Sequence, residues 1–417
     1  MQFGLWNSAS IKIKMIQNPF LESPENQSWF ELKPEFIRTD ITIALEQAEK
    51  NLQKIRDLKP EQATFANSVK ALENASLDLQ SAWGLVSHLD SVCNTQELRE
   101  AYNEMLPAVS SFGAKISLDP VLWKALQAFE ESEEASNLNL VDRRLLNETL
   151  LDFKEAGADL PDEKRKRLEE ISQELAKVTQ KFSEQVLDAT NEWRIVVHEE
   201  KKLAGLPETA KEAARQTAIE KLGTEKGKSS WVFTLHAPSM LPVLQYLEDD
   251  DIRRKVWQAS DSLCVNDPHA NEPLIRKIIL LRQEKSEILG KNDFADVVLS
   301  RRMAKNGEKA DEFIMQLHEK TIPFFNNENR ELEEFKANKT NQDTELLEPW
   351  EVAYWSEKLK KERYDFDSED LRPFFPIQSV LEGMFELTSK VFGLKIEERP
   401  TKFEDQVFEY GNNSDAV

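Results

Sequence analysis

The sequence predicts a mainly α-helical fold. Apolar residues recur at helical spacing along most of the chain, and only two short stretches alternate with the two-residue period of a strand. The chain has 12 glycines and 17 prolines in 417 residues. A sandwich or barrel of many short strands needs a turn residue about every ten positions, so this composition argues against both. With 40% hydrophobic and 31% charged residues, it is the composition of ordinary folded domains.

The first strongly periodic segment predicts an amphipathic helix. Its apolar residues step by four and three, which places them on one helix face. We expect Thr39 or Asp40 to cap its start. The apolar face consists of Ile41, Leu45, Ala48, Leu52 and Ile55.

Residues 138–190 predict a long helical hairpin. A first helix spans 138–154 and is expected to end at Gly157. A second begins around Pro161, which suits a first helical turn, and carries Asp162 and Glu163 where acids complement the helix dipole. Because the link is short, we expect the two helices to pack antiparallel. The second helix has an apolar stripe of Leu168, Ile171, Leu175, Val178, Phe182 and Val186.

Residues 191–236 predict a small strand–helix–strand insertion. Trp193, Ile195 and Val197 alternate with polar or differently facing neighbours, and residues 231–235 are rich in β-forming side chains. A helical segment at 207–222 separates them. Beyond it, we expect helices at 253–262, 273–289, 308–319 and 328–336, a bend or break at Pro323, and a loop at 338–345.

Charge and cysteine usage exclude several classes of protein. The net charge of −22 repels nucleic-acid phosphates and anionic membrane surfaces, so we expect neither partner. Cys93 and Cys264 are isolated, which fits a reducing, cytoplasmic location. No apolar run is long enough to span a membrane. Residues 1–14 resemble no signal or transit peptide, and we expect Met15 to be the start, with 1–14 an extension.

No metal or catalytic site emerges from the histidines. A zinc protease helix needs His-Glu-x-x-His, which points both imidazoles at one ion. His198 and His318 are followed by Glu, but neither has a second His four residues on. We interpret them as surface or structural residues, and His88 and His236 as structural. The acidic run Glu248-Asp249-Asp250-Asp251 is interpreted as a turn or a helix N-terminus.

Residues 350–358, WEVAYWSEK, are the most unusual stretch. Their composition indicates an aromatic-rich helix start. Two roles are open, a buried core element or a binding platform, and we favour the core.

The same stretch, followed by 364–365 (YD) and 371–376 (LRPFFP), resembles a signature of oligopeptidase A and its thimet-type relatives, which are zinc metallo-oligopeptidases. The resemblance runs from about Asn18 to Tyr410, although Trp355 stands where the family often has Tyr. Further colinear segments agree with it: 86–92 (VSHLDSV), 97–102 (ELREAY), 186–190 (VLDAT), 281–284 (LRQE), 289–290 (LG), 293–296 (DFAD) and 302–304 (RMA).

The resemblance implies three parts: an N-terminal helical domain at 15–190, the β-containing insertion at 191–236, and the first part of a zinc-oligopeptidase catalytic domain at 237–417. It implies hydrolysis of short peptides by a zinc-bound water, with His-Glu-x-x-His and a downstream Glu. We can place none of these residues here, because the family's zinc helix would follow Tyr410. We therefore expect no catalytic and no metal-binding residue in this chain, and a channel wall that restricts access to short peptides.

Three hypotheses follow. The chain is a catalytically incomplete oligopeptidase, one half of a split peptidase whose missing C-terminal portion is a separate partner, or a non-catalytic helical module that binds peptides or a partner protein. We also expect helices such as 273–289 to leave an apolar face unpaired, which favours aggregation of the isolated chain.

Overall fold

A computed structural model describes residues 18–23, 27–266, 268–366 and 368–397. The expected extension at 1–14 and the stretch around Tyr410 lie outside these residues. The described part contains a single two-stranded sheet and is otherwise helical, so the mainly α fold is confirmed. No helix among the described residues is long and apolar enough to cross a membrane.

The helices and strands are numbered in chain order. They are α1 Pro34–Arg56, α2 Lys70–Asn74, α3 Leu77–Val92, α4 Gln96–Ser117, α5 Pro120–Glu130, α6 Glu133–Ser136, α7 Leu140–Ala156, α8 Asp162–Glu192, β1 Arg194–Val197, α9 Glu208–Leu222, α10 Thr224–Gly227, β2 Trp231–Thr234, α11 Ala237–Tyr246, α12 Asp250–Asp261, α13 Glu272–Ile288, α14 Phe294–Leu299, α15 Gly307–Thr340, α16 Pro349–Tyr364 and α17 Ile377–Phe392.

The described residues form two compact units. The first contains residues 18–23, 27–177 and 281–297, and the second contains 178–266, 268–280, 298–366 and 368–397.

The first unit has two hydrophobic clusters that share Phe112. One joins α1, α3 and α4 with the short 3-10 turn Pro19–Leu21, and the other joins the end of α1 with α5 and α7. The predicted apolar face of α1 is buried in them: Ile41, Ala48, Leu52 and Ile55 are buried and Leu45 is half-buried.

The predicted cap of α1 is wrong. The helix begins six residues before Asp40, at Pro34, whose fixed φ suits the first helical position. Asp40 is therefore inside the helix, completely buried, and its carboxylate accepts a hydrogen bond of 2.9 Å from the backbone N–H of Phe20. Phe20 is buried in the first cluster, so Asp40 holds the N-terminal turn against α1.

The two helices of the predicted hairpin are present as α7 and α8, with a link of residues 157–161. Gly157 ends α7 with φ +100°, and a Cβ there would come within 2.8 Å of Leu160 Cδ1, so only glycine fits this turn. The buried face of α7 packs against α5 and α4. On α8, Leu168 and Ile171 are fully buried, and the rest of the predicted stripe is half-buried.

The strand–helix–strand insertion is confirmed in the second unit. β1 and β2 pair antiparallel, with Ile195 opposite Phe233 and Val197 opposite Trp231. The sheet packs with α9, α11 and α12 around Val197, Phe233 and Val256.

Of the bend or break predicted at Pro323, the break is wrong, because α15 continues through this residue to Thr340. Proline removes one N–H and crowds the carbonyl four residues earlier. At this exposed position water can satisfy the carbonyl of Glu319. The helix also shortens the expected loop at 338–345, which begins after Thr340.

Asp40 predicts a pH dependence of stability in the first unit. Burial raises the pKa of this carboxyl to about 6, against the opposing effect of the Phe20 hydrogen bond. Between pH 4 and 6 the folded chain keeps the proton while the unfolded chain loses it, so the free energy of unfolding falls as pH rises, by up to about 3 kcal/mol. Asp40→Asn keeps an acceptor for Phe20 and removes the charge. We expect its stability relative to wild type, measured by urea unfolding, to increase from pH 4 to 7, and a constant difference would contradict this assignment.

Candidate functional site

The aromatic segment 350–358 forms the first half of α16. Pro349 occupies the first helical position, and Glu348 and Glu351 form a capping box in which the Glu351 carboxylate accepts from the Glu348 N–H at 3.0 Å. Glu351 is buried and also accepts from Lys336 Nζ of α15 at 2.7 Å. A single carboxylate thus starts α16 and attaches it to α15.

Arg253 of α12 is the centre of the packing around α16. Its side chain is only 3% exposed. Nη1 donates to the carbonyls of Leu247 at 2.6 Å and Glu248 at 3.1 Å, and Nη2 donates to Asp250 at 2.6 Å. The guanidinium carbon lies 4.2 Å from the centre of the Tyr354 ring, a cation–π distance. One buried cation therefore connects the end of α11, the start of α12 and α16.

The other aromatic rings of the segment are also engaged. Trp350 donates Nε1–H to the Asp250 carboxylate at 3.2 Å and packs 5.9 Å from Trp257. Trp355 packs edge-on against Phe335 at 6.1 Å and against Tyr354 at 5.2 Å. These contacts support the core interpretation over a free binding platform.

The acidic run 248–251 is a helix N-terminus, as expected. Asp249 caps α12 by accepting from the Ile252 N–H at 3.0 Å. Asp251 pairs with Arg254 and Lys255 at 2.5 and 2.6 Å, and these ion pairs lower its pKa. The carboxylates of Asp249, Asp250 and Asp251 thus have separate partners.

The histidines are dispersed. His88 is exposed and packs edge-on against Trp29 at 5.5 Å. His236 is exposed at the N-cap of α11, and His318 is exposed on α15. His198 Nδ1 lies 3.0 Å from Ser230 Oγ, whose hydroxyl donates to the Lys226 carbonyl. The hydroxyl thus accepts from His198, which is the reverse of nucleophile activation.

A cavity beside α8 in the second unit is lined by a carboxylate, a thiol and an imidazole. It has a volume of about 430 Å³ and is lined by Glu192, Cys264 and His269 among others. His269 Nε2 pairs with Glu192 at 3.1 Å. The Cys264 thiol donates to the Gln185 carbonyl at 3.3 Å, and burial raises its pKa, so the thiol is protonated and poorly nucleophilic.

A cavity of about 690 Å³ lies between α1 and α4 in the first unit. Its floor includes Leu45 and Phe112, and of the described residues that line it none is His or Cys. Two of the cations that line it are paired: Arg56 contacts Glu49 at 2.7 Å, and Lys115 contacts Glu169 at 3.5 Å. Across the described part of the chain, no three His, Cys, Asp or Glu side chains are grouped to hold a metal ion.

The buried Arg253 predicts a large difference between two neighbouring arginines. Arg253→Met leaves two backbone carbonyls without their donor and the Asp250 carboxylate with Trp350 as its remaining donor. At about 1–3 kcal/mol for each buried group left unsatisfied, we expect the free energy of unfolding to fall by about 2–5 kcal/mol. Arg254→Met removes an exposed pair with Asp251, which contributes about 1 kcal/mol or less. Urea unfolding followed by tryptophan fluorescence measures both, and equal losses would contradict the role of Arg253.

Two family models match the chain in separate regions. Residues 39–165 match the N-terminal domain of neurolysin and thimet oligopeptidase. Residues 243–413 match peptidase family M3.

Curated relatives agree. The chain is 33% identical to oligopeptidase A of Haemophilus influenzae over 389 residues, which is 92% of this chain and 56% of that relative. It is 31% identical to oligopeptidase A of Escherichia coli over 92% of this chain and 56% of the relative. The organellar oligopeptidase A of Arabidopsis thaliana is 31% identical over 91% of this chain and 48% of its own length.

The chain therefore spans about half the length of the curated relatives that it matches. The matches cover both units, in the order that the sequence motifs predict. The resemblance is confirmed: the chain belongs to the oligopeptidase A and thimet-type peptidases of family M3.

Proposed function

We propose that this chain supplies the helical channel wall of a zinc-dependent oligopeptidase that hydrolyses short peptides. The observation that supports it is the double family match, which assigns residues 39–165 to the N-terminal domain and 243–413 to the peptidase family itself. The names of the relatives point to oligopeptides as the substrate class.

The side chains that the structure describes do not fit a catalytic zinc. Zinc hydrolases bring three protein ligands together and keep one position open for water. The described histidines are separate, and each of His88, His198 and His269 has a structural partner. The full sequence has five histidines, and no two are spaced as His-Glu-x-x-His. We propose that the zinc ligands and the general base lie on polypeptide outside these 417 residues.

The proposed contribution of this chain is then to restrict which substrates reach the active site. α8 has 31 residues, which makes it about 46 Å long, and α7 precedes it after a short link. Long helices of this kind can line a deep channel that admits an extended peptide and excludes a folded protein. We assign the wall to 138–190 and the helices that follow, and propose a cytoplasmic location, which the two free cysteines favour.

Two alternatives to a catalytically incomplete oligopeptidase remain for this chain. The chain is one half of a split peptidase, or a non-catalytic module that binds a partner. The exposed apolar helix faces of the second unit favour a form in which another polypeptide covers them.

If the zinc ligands lie outside these 417 residues, two proteins should give opposite results in a peptide-cleavage assay. The 417-residue chain alone should neither cleave a short quenched-fluorescent peptide nor retain zinc in a one-to-one ratio. A chimera that continues the chain with the remaining part of the H. influenzae relative should cleave the peptide, and a chelator should abolish the cleavage. The relative's remaining part alone is the control. Chelator-sensitive cleavage by the 417-residue chain, or an inactive but folded chimera, would contradict the proposal.

A further inference from the structure

Asn306 is followed by Gly307, and the sequence contains no other Asn-Gly pair. The side-chain amide of Asn is chemically labile in proteins, because the backbone nitrogen of the next residue can attack its Cγ and close a five-membered ring. Glycine in the second position has no Cβ to crowd that nitrogen, so the attack is least hindered there. The sequence therefore distinguishes Asn306 from the other asparagines of this chain.

The structure exposes this pair at the start of α15. Asn306 is an exposed N-cap, and its Oδ1 accepts a hydrogen bond of 2.9 Å from the backbone N–H of Lys309. Gly307 is the first residue of the helix. The side chain that is open to the reaction is thus the same one that caps the helix.

The start of α15 has few contacts that hold it in place. Of the residues of this helix, all of which the structure describes, Leu332 and Ala337 are buried, and both lie in the last third. The ion pair of Lys336 with Glu351 of α16 is also at that end. Segments with few buried contacts open locally most easily. Opening of the first turn releases ψ of Asn306 from its value of 170° in the cap, so that the Gly307 nitrogen can approach Cγ.

We propose that Asn306 is a site of spontaneous deamidation that alters the N-terminal cap of α15. The Gly307 amide loses its proton to base, its nitrogen forms a bond to Cγ of Asn306, the Cγ–Nδ2 bond breaks, and ammonia leaves. Water then opens the cyclic imide at one of its two carbonyls. Overall, the amide and one water molecule give a carboxylate and an ammonium ion. The inference does not depend on the proposed function.

The two products have different effects on the helix. Opening at the side-chain carbonyl gives Asp at position 306, which is as good an N-cap as Asn and adds a negative charge where the helix dipole favours one. Opening at the main-chain carbonyl gives isoaspartate, in which the chain continues through Cγ and the backbone is longer by one methylene. Its former side-chain carbonyl belongs to the main chain and no longer caps Lys309. We therefore expect the first turn of α15 to stay folded in the first product and to open in the second.

The test follows deamidation in the 417-residue chain by peptide mass spectrometry during incubation at neutral and at alkaline pH. Conversion at Asn306 should be faster at alkaline pH, because base removes the Gly307 proton. Asn341 is the internal control, since it is exposed at the C-cap of the same helix but is followed by Gln342. We expect conversion at Asn306 to be roughly tenfold faster or more, because glycine leaves the attacking nitrogen unhindered.

Two variants separate the chemistry from the structure. Gly307→Ala adds a Cβ beside the attacking nitrogen and suits a helix, so it should slow conversion roughly tenfold. Asn306→Ser keeps a good N-cap and has no amide to lose. Hydrogen exchange of the backbone amides of 308–311 should accelerate in the unmodified sequence as isoaspartate accumulates, and should stay constant during incubation of Asn306→Ser.

Equal conversion of Asn306 and Asn341, or a rate that Gly307→Ala leaves unchanged, would overturn Asn306 as the modification site. Accumulation of isoaspartate without faster exchange at 308–311, or the same change in Asn306→Ser, would overturn the effect on the cap. These measurements do not involve peptide cleavage, so their outcome is independent of the proposed function.

Discussion

An amphipathic helix is stable only where its apolar face is buried, and the helices of this protein differ in how far they meet this condition. In the first unit the condition is met: Ile41, Leu52 and Ile55 of α1 are buried between neighbouring helices. At roughly 1.5–3 kcal/mol for each large side chain, such a face contributes most of a helix's stability. In α15 and α17 the same kind of face is exposed, so these helices lack the stabilisation that α1 has. Ile275 and Ile279 of α13 are also exposed, as the sequence predicts for 273–289.

The sequence alone leaves open whether the aromatic segment 350–358 is part of the core or a binding platform. Its rings are fixed by one buried cation, because Arg253 contacts Tyr354 and pairs with the same Asp250 that accepts from Trp350. A buried charge is costly unless it is paired and hydrogen-bonded. Two backbone carbonyls accept from Nη1 of this guanidinium, while its Nε has no hydrogen-bond partner. The segment most diagnostic of the family is therefore structural in this chain. It organises α11, α12 and α16 in the second unit.

Periodicity predicted the fold correctly where a local residue pattern and the packing of the folded chain require the same arrangement. The apolar face of α1, the positions of β1 and β2, and the end of α7 at Gly157 were each predicted from a local residue pattern. Asp40 was misassigned because a cap and a buried carboxylate look alike in sequence. Its role depends on Phe20, twenty residues away. The break at Pro323 was wrongly predicted because a long helix can retain one proline where water satisfies the freed carbonyl.

The candidate site also depends on contacts between residues that are distant in sequence. The sequence predicts no metal motif, but it cannot show whether distant residues converge. The structure brings Glu192, Cys264 and His269 to one cavity, yet there His269 pairs with Glu192 and the thiol donates to the Gln185 carbonyl.

Peptide hydrolysis by zinc needs at least three ligands with free lone pairs, converging on one open position. In the described part of the chain, no three His, Cys, Asp or Glu side chains are grouped to bind a metal ion, and His198 and Asp251 contact separate partners within the second unit. What the described part of the chain leaves exposed is apolar surface on helices such as α17. Its buried polar contacts, such as those of Arg253 and Glu351, connect helices within a unit, so we regard the chain as a scaffold.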